Sequence, residues 1–460
     1  MAVALGASAA LGFAVASSIT ATVALVAPAL LLIALIGALL YPEAAFVVLV
    51  LMLALIPPYA APELGHVLLM PAAGAAWLLA GVLLWRQFTL SGRLIRFTAV
   101  DVAVGSFALL MATSVAFSPQ VNENGYLELL FTWGGVYMAA RLLLRETRRP
   151  VYLMAASFAL ATIVVAPVAF MEAAGKSNPF LALQFNPSQS ATWAKQASRF
   201  GQHRAEASFG HPIALSMFAA TSALLSLTMA INSERMRTRL IWFGLAALAV
   251  GVQVSTVSRT GWVLLAFGIF LLALVTLARP ARRRLLAVIA ILAVGVVAAF
   301  AMSSSSQLQL FSGTGINIGA GRTAGSREVE RSGAGRDAEL SRAFKPGILH
   351  VWGSRVNRLT PAVESGGSTD NEYILLAEEW GLIPMAALML IPLTLLWVIS
   401  RTRSVAAGSL AVLPIVALVA LIGLVFVAFI TQQQLMIWLL LGAAGAVSER
   451  LGSGATNESR

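Results

Sequence analysis

The chain contains no cysteine. That removes disulfides, thiolate metal sites and cysteine nucleophiles from consideration. It has four histidines, His66, His203, His211 and His350. None stands at a metal-ligand spacing such as HExxH. Charge is scarce: 11% of 460 residues are Asp, Glu, Lys or Arg, where a soluble domain carries about a quarter. The first residues lack a basic n-region, so the first apolar helix is expected to be retained rather than cleaved.

What fills the chain instead is apolar, with 59% of residues hydrophobic. A soluble fold cannot hide that much apolar surface, whereas a bilayer can. The formal net charge is +11, but no basic helix carries base-reading polar residues, which argues against nucleic acid. Runs of bilayer-spanning length, about 17–25 residues, fall at 5–20, 22–41, 43–58, 66–85, 99–117, 124–143, 151–174, 210–231, 239–256, 260–278, 285–302, 371–399, 405–424 and 427–447. The first three are crowded, so the sequence predicts 12–14 helices in an all-α, polytopic membrane protein. Its parts are N-terminal helices over 1–174, a loop over 175–209, central helices over 210–302, a large loop over 303–369, C-terminal helices over 370–448 and a tail over 449–460.

Orientation follows from arginine clusters between spans. They are Arg86, Arg93 and Arg96; Arg141, Arg145, Arg148 and Arg149; Arg235, Arg237 and Arg239; Arg279 and Arg282 to Arg284; and Arg401 and Arg403. An even number of spans separates each cluster from the next, and the positive-inside rule places all of them in the cytoplasm. The two long loops then lie outside. Both are basic against expectation. Segment 175–209 sets Lys176, Lys195, Arg199 and Arg204 against Glu206, and segment 303–369 carries eight basic residues against five acids. Long loops can translocate regardless of charge; an anionic ligand is the functional alternative, because the arginine fork pairs with phosphate oxygens. The glycines of 313–321 do not match a dinucleotide fingerprint.

Three constellations carry possible chemistry. Ser258-Arg259-Thr260-Gly261 stands between two spans with almost no loop. Arg259 there is either a snorkelling side chain or a buried guanidinium facing a wet site, with Ser258 as a further donor. Thr369-Asp370-Asn371-Glu372 has capping-box spacing, so Asp370 has a structural reading. Yet Glu378 follows two turns along the same face, next to Glu379. Intramembrane acids are functional candidates, and a rim carboxylate is a plausible general base toward a sugar hydroxyl. The third runs from Arg199 through Arg204 to Phe209-Gly210-His211-Pro212. It reads as a loop and helix start, Pro212 fitting the first turn, or as a rim of donors for phosphate or glycan.

In order and spacing these features resemble the O-antigen ligase and polymerase superfamily of bacterial membrane proteins. That family has a Phe-x-His/Asn-Pro element before a helix, matched by Phe209 to Pro212, and a Ser-Arg-Thr/Gly-Gly turn, matched by Ser258 to Gly261. Its large outer loop ends in His, then Asn, Ser or Gln, nine residues, Gly, two residues, and Gly, Thr or Tyr. Here Asp370-Asn371, nine residues, Gly381, two residues and Pro384 stand in those places. The histidine and the final position differ. Ser341-Arg342 followed by Trp352 resembles the loop's essential arginine, with Arg336 as a competitor. The resemblance covers roughly 199–384. It implies a GT-C-like, metal-independent and cofactor-free transferase of the inner (plasma) membrane. A polyprenyl-pyrophosphate-linked glycan would be the donor and a glycan or lipid the acceptor. Asp370, Arg259 and Arg342 would be catalytic, while Arg204, His211, Ser258, Arg336, Asn371 and Glu378 would bind substrate. The alternatives are a transporter or flippase of a lipid-linked or anionic substrate, against which stands the lack of a clear internal repeat, and a scaffold protein.

Overall fold

Prolines and capping side chains decide where the helices begin. Pro42, Pro71, Pro150 and Pro212 occupy first-turn positions, where the missing N–H is not needed and φ is already helical. Thr98 opens another helix with a complete capping box: its hydroxyl accepts from the Asp101 N–H, and the Asp101 carboxylate accepts from the Thr98 N–H.

The computed structural model describes residues 37, 40–57, 60, 63–64, 67–68, 70–91, 95–118, 123–183, 198–199, 202–276, 350–353, 372–402, 409–424 and 432–452. These residues form helices α1 (Pro42–Leu55), α2 (Pro71–Arg86), α3 (Ala99–Phe117), α4 (Glu123–Glu146), α5 (Pro150–Ala173), α6 (Pro212–Asn232), α7 (Met236–Ser255), α8 (Arg259–Thr276), α9 (Glu372–Glu379), α10 (Leu382–Arg401), α11 (Val412–Gly423) and α12 (Gln432–Gly452). Two antiparallel pairs of two residues each accompany them: β1 (Glu63–Leu64) with β2 (Val67–Leu68), and β3 (Ser198–Arg199) with β4 (Gln202–His203). Among the described residues six helices are long and apolar enough to cross a membrane: α3, α5, α6, α7, α10 and α12. Apolar side chains such as Val102, Leu109, Ile241, Leu390, Leu393 and Leu396 remain exposed on them, as a helix facing lipid requires. The architecture is that of a helical, multi-pass membrane protein.

The expected spans 5–20 and 285–302, and nearly all of 22–41, lie outside the described residues. The span expected over 371–399 is corrected: it is two helices, α9 and α10, broken at Gly381. Gly381 has φ 102° and Gly353 has φ 85°, a region that glycine enters without steric cost. A Cβ on Gly381 would fall 2.4 Å from the Val351 carbonyl oxygen, and one on Gly353 2.3 Å from that of Glu379. Segment 350–353 therefore packs directly on the break, where its His350 and Val351 carbonyls accept from Leu382 N at 3.0 Å and Ile383 N at 3.3 Å. The final helix also differs, since α12 runs through Gly452 and takes in residues assigned to a tail.

Its extension is explained by charge. Arg141 of α4 is 1% exposed and donates to Asp101 of α3 at 2.9 and 3.0 Å and pairs with Glu449 of α12 at 2.8 Å. Arg145 pairs with Glu449 at 2.9 Å. Arg450 covers the end of α4, donating to the carbonyls of Leu144, Arg145 and Thr147. Arg141 is thus the centre of a buried ion-pair network rather than a loop arginine. Glycines let the helices meet there: a Cβ on Gly442 would fall 2.3 Å from the Tyr137 carbonyl oxygen. The other end of the bundle is marked by the start of α12, where Gln432 Nε2 donates to the carbonyls of Ile56 and Ser208 at 2.8 and 2.7 Å. Helix α6 begins at this second end and runs to Asn232, so the start of α7, with Arg235, Arg237 and Arg239, lies toward the first.

Candidate functional site

The second end is built from two strained segments. After β4 the chain passes through Arg204, Ala205 and Glu206 into a 3-10 turn, Ala207–Phe209. It then reaches Gly210 in the left-handed region and His211 at the N-cap of α6. Between α7 and α8 lies a three-residue turn, Thr256-Val257-Ser258. Ala207 (φ 47°) and Val257 (φ 49°) are the non-glycine residues with positive φ among the described residues. Such conformations cost about 1–3 kcal/mol each and persist only where the surroundings enforce them, most often at functional sites.

The two segments are joined to each other. Ala205 N donates to the Ser255 carbonyl at 2.9 Å, and Arg204 Nε donates to the Thr256 carbonyl at 3.1 Å. The α7–α8 turn is braced from within: Gln253 Nε2 donates to the Ser258 carbonyl at 3.3 Å, and a Cβ on Gly261 would lie 2.2 Å from that nitrogen. Glycine at 261 is therefore what admits the Gln253 brace. Ser258 is 1% exposed. The Ser216 hydroxyl lies 2.7 Å from the Ile213 carbonyl and 3.1 Å from the Ser258 hydroxyl. Ser216 is the donor in both contacts, so its one proton serves the Ile213 carbonyl or the Ser258 hydroxyl at a time. Ser258 thereby ties α8 to α6.

The loop bearing Arg204 is pinned to three further helices. Glu172, in the last turn of α5 and 1% exposed, accepts from Glu206 N at 2.9 Å and Ala207 N at 2.6 Å through one carboxylate oxygen. Asn178 Nδ2 donates to the Ala207 carbonyl at 2.6 Å. Ser208 donates to the Ala54 carbonyl at the end of α1, and Gln432 of α12 donates to the Ser208 carbonyl. Glu172, Asn178, Gln253 and Gln432 escape a motif search. For Glu172 a signal exists: it is an acid inside an apolar run, the same criterion that singles out Glu378.

His211 stands just outside α6, where its Nδ1 accepts from Ile213 N at 3.2 Å. Burial and the nearby Arg204 guanidinium lower its pKa to about 4. It is neutral at pH 7, with Nδ1 accepting and the proton on Nε2. His211 acts as a helix cap and is a poor candidate for a general base. Arg259 is the first residue of α8 and is partly exposed, as is Arg204. The N-terminal dipole of α8 adds to the positive character of this region.

Arg204, His211, Ser258 and Arg259 thus come together from two motifs some fifty positions apart. Glu378 and Glu379, at 1% and 7% exposed, are buried. Their helix α9 is fastened by Tyr373, which donates to the Leu421 carbonyl at 2.8 Å, and by Ser114, which donates to the Trp380 carbonyl at 2.6 Å. Asp370, Asn371, Arg336 and Arg342 lie outside the described residues. No family model matches the chain, and no curated protein matches it either.

Proposed function

We propose that this protein transfers or polymerises polyprenyl-pyrophosphate-linked glycans at the extracytoplasmic face of the inner (plasma) membrane, in the manner of O-antigen ligases and polymerases. The observation that carries this reading is the junction of the Arg204 loop with the Arg259 turn, two basic segments held on strained backbone at the end remote from the arginine clusters. A pyrophosphate needs charge-assisted donors, and paired guanidiniums supply them without a metal. In the reaction the acceptor hydroxyl attacks the anomeric carbon, the bond from that carbon to the pyrophosphate oxygen breaks, and polyprenyl pyrophosphate leaves with both electrons. The acceptor proton passes to a general base, a role that the family resemblance gives to Asp370. Arg204 and Arg259 stabilise the departing phosphate charge, which grows in the transition state. Arg342, Arg336 and Asn371 complete the donor site in this reading.

The test is the glycan profile of a strain lacking the protein. Accumulation of short lipid-linked units on the outer leaflet is the expected result. Retention of those units on the inner leaflet would instead identify a flippase and remove the transferase reading.

A further inference from the structure

Ala207 is held on both sides by side chains of α5 and the segment that follows it. Its N–H donates to Glu172 at 2.6 Å, its carbonyl accepts from Asn178 at 2.6 Å, and Asn178 Oδ1 is itself fixed by Phe180 N at 2.9 Å. Glu172 also takes the N–H of Glu206 at 2.9 Å. An alanine with φ 47° does not hold that conformation unaided, because its Cβ crowds the backbone. Three residues upstream stands Arg204, whose Nε reaches the Thr256 carbonyl at 3.1 Å, in the turn that leads into Arg259. Buried carboxylates are costly, and at this end of the bundle Glu172 accepts from two backbone amides and from the Asn178 side chain.

We infer that Glu172 and Asn178 form a clamp that fixes the left-handed turn at Ala207, and that this turn sets the position of Arg204 against the α7–α8 turn. Glu172 is a positioning residue: it acts on the donor's pyrophosphate through the loop. The inference rests on the proposed transferase reading for its functional consequence but not for the clamp itself. Two requirements follow from the geometry. The clamp needs an acceptor oxygen at position 172, not a negative charge, so Glu172→Gln retains it. It is needed because residue 207 is an alanine, so a glycine there, which enters positive φ freely, relieves the dependence.

The experiment compares wild type, Glu172→Ala, Glu172→Gln, Asn178→Ala and the double variant Glu172→Ala/Ala207→Gly as purified full-length protein. It follows transfer from a purified polyprenyl-pyrophosphate glycan and hydrogen exchange at the amides of residues 205–208. Displacing a positioned group by about 1 Å can cost about 100-fold in rate. Glu172→Ala is expected to lose turnover on that scale and to expose amides 206 and 207 to exchange. Glu172→Gln stays within a few-fold of wild type, and Ala207→Gly recovers part of the loss. Asn178→Ala, which removes the other arm, gives a smaller loss and keeps the test open if Glu172→Ala does not fold. Equal failure of Glu172→Gln and Glu172→Ala would show that charge, not clamping, matters, and would overturn the inference. Unchanged exchange at 206 and 207 in Glu172→Ala would do the same. If the wild type uses no lipid-linked glycan, the transferase reading falls, and the exchange data alone still decide the clamp.

Discussion

The two ends of this bundle use buried charge in opposite ways. At one, Arg141 faces Asp101 and Glu449, Arg145 shares Glu449, and Arg450 closes the end of α4. Cations and anions there answer each other. At the other, the buried carboxylate of Glu172 accepts from backbone amides, and Arg204 donates to a backbone carbonyl. Both strained non-glycine residues among the described ones belong to this second end. Mutual neutralisation favours a fixed structure. At the second end the Arg204 guanidinium is set against a backbone carbonyl beside a strained turn, the arrangement on which the proposed anionic donor site rests.

Breaking the first end should have the largest effect. Arg141→Met leaves Asp101 and Glu449 without their shared cation, and removing one partner of a buried pair costs about 3–5 kcal/mol. The variant is expected to unfold at clearly lower temperature in detergent or to fail to accumulate. Near-wild-type stability would mean that water reaches this end and that the contrast between the two ends is false.

The second end should respond in activity more than in stability. Arg259→Lys keeps the charge and loses the fork. Its transfer rate should fall about 100-fold, the scale set by loss of one transition-state donor, while the protein accumulates normally. Full activity with lysine would reduce Arg259 to a charge anchor.

A smaller effect of opposite sign is expected nearby. Gln433, in the first turn of α12, is fully buried, and neither its amide nitrogen nor its oxygen has a hydrogen-bond partner among the described residues. Gln433→Leu should raise stability by about 1 kcal/mol, since an unsatisfied buried polar group costs about 1–3 kcal/mol. A drop in unfolding temperature would reveal a partner that the amide serves.

A further effect appears only as pH falls. His211 has a pKa of about 4, lowered by burial and Arg204, against about 6.5 unfolded. The folded state therefore resists protonation. The stability this gives is complete above the unfolded value and is lost as pH falls toward about 4. Unfolding temperature should decline through that window more steeply in wild type than in His211→Asn, where asparagine caps α6 without titrating. Parallel curves would show that His211 is not held neutral by its surroundings.

Local signals made much of this legible in the sequence. The span read at 99–117 coincides with α3, because Thr98 and Asp101 write its start into the chain. Pro150 and Pro212 do the same for α5 and α6. Long-range pairing was invisible. The break at Gly381 depends on Val351 and Gly353 about thirty residues earlier. Arg141 looks like a loop arginine until Asp101 and Glu449, some forty and three hundred positions away, are brought to it. In the candidate site, sequence picked out Arg204, His211, Ser258 and Arg259. Of the side chains that hold them, Glu172 shows in the sequence as an acid inside an apolar run, while Asn178 and Gln253 carry no motif and are recognisable only by the backbone groups they bind.

The most direct test of the account is transfer by purified protein in proteoliposomes supplied with a polyprenyl-pyrophosphate glycan and an acceptor. The account predicts a new glycosidic bond, release of polyprenyl pyrophosphate, and loss of both in Arg259→Lys. Movement of the intact lipid-linked glycan from one leaflet to the other, with no bond made or broken, would contradict it.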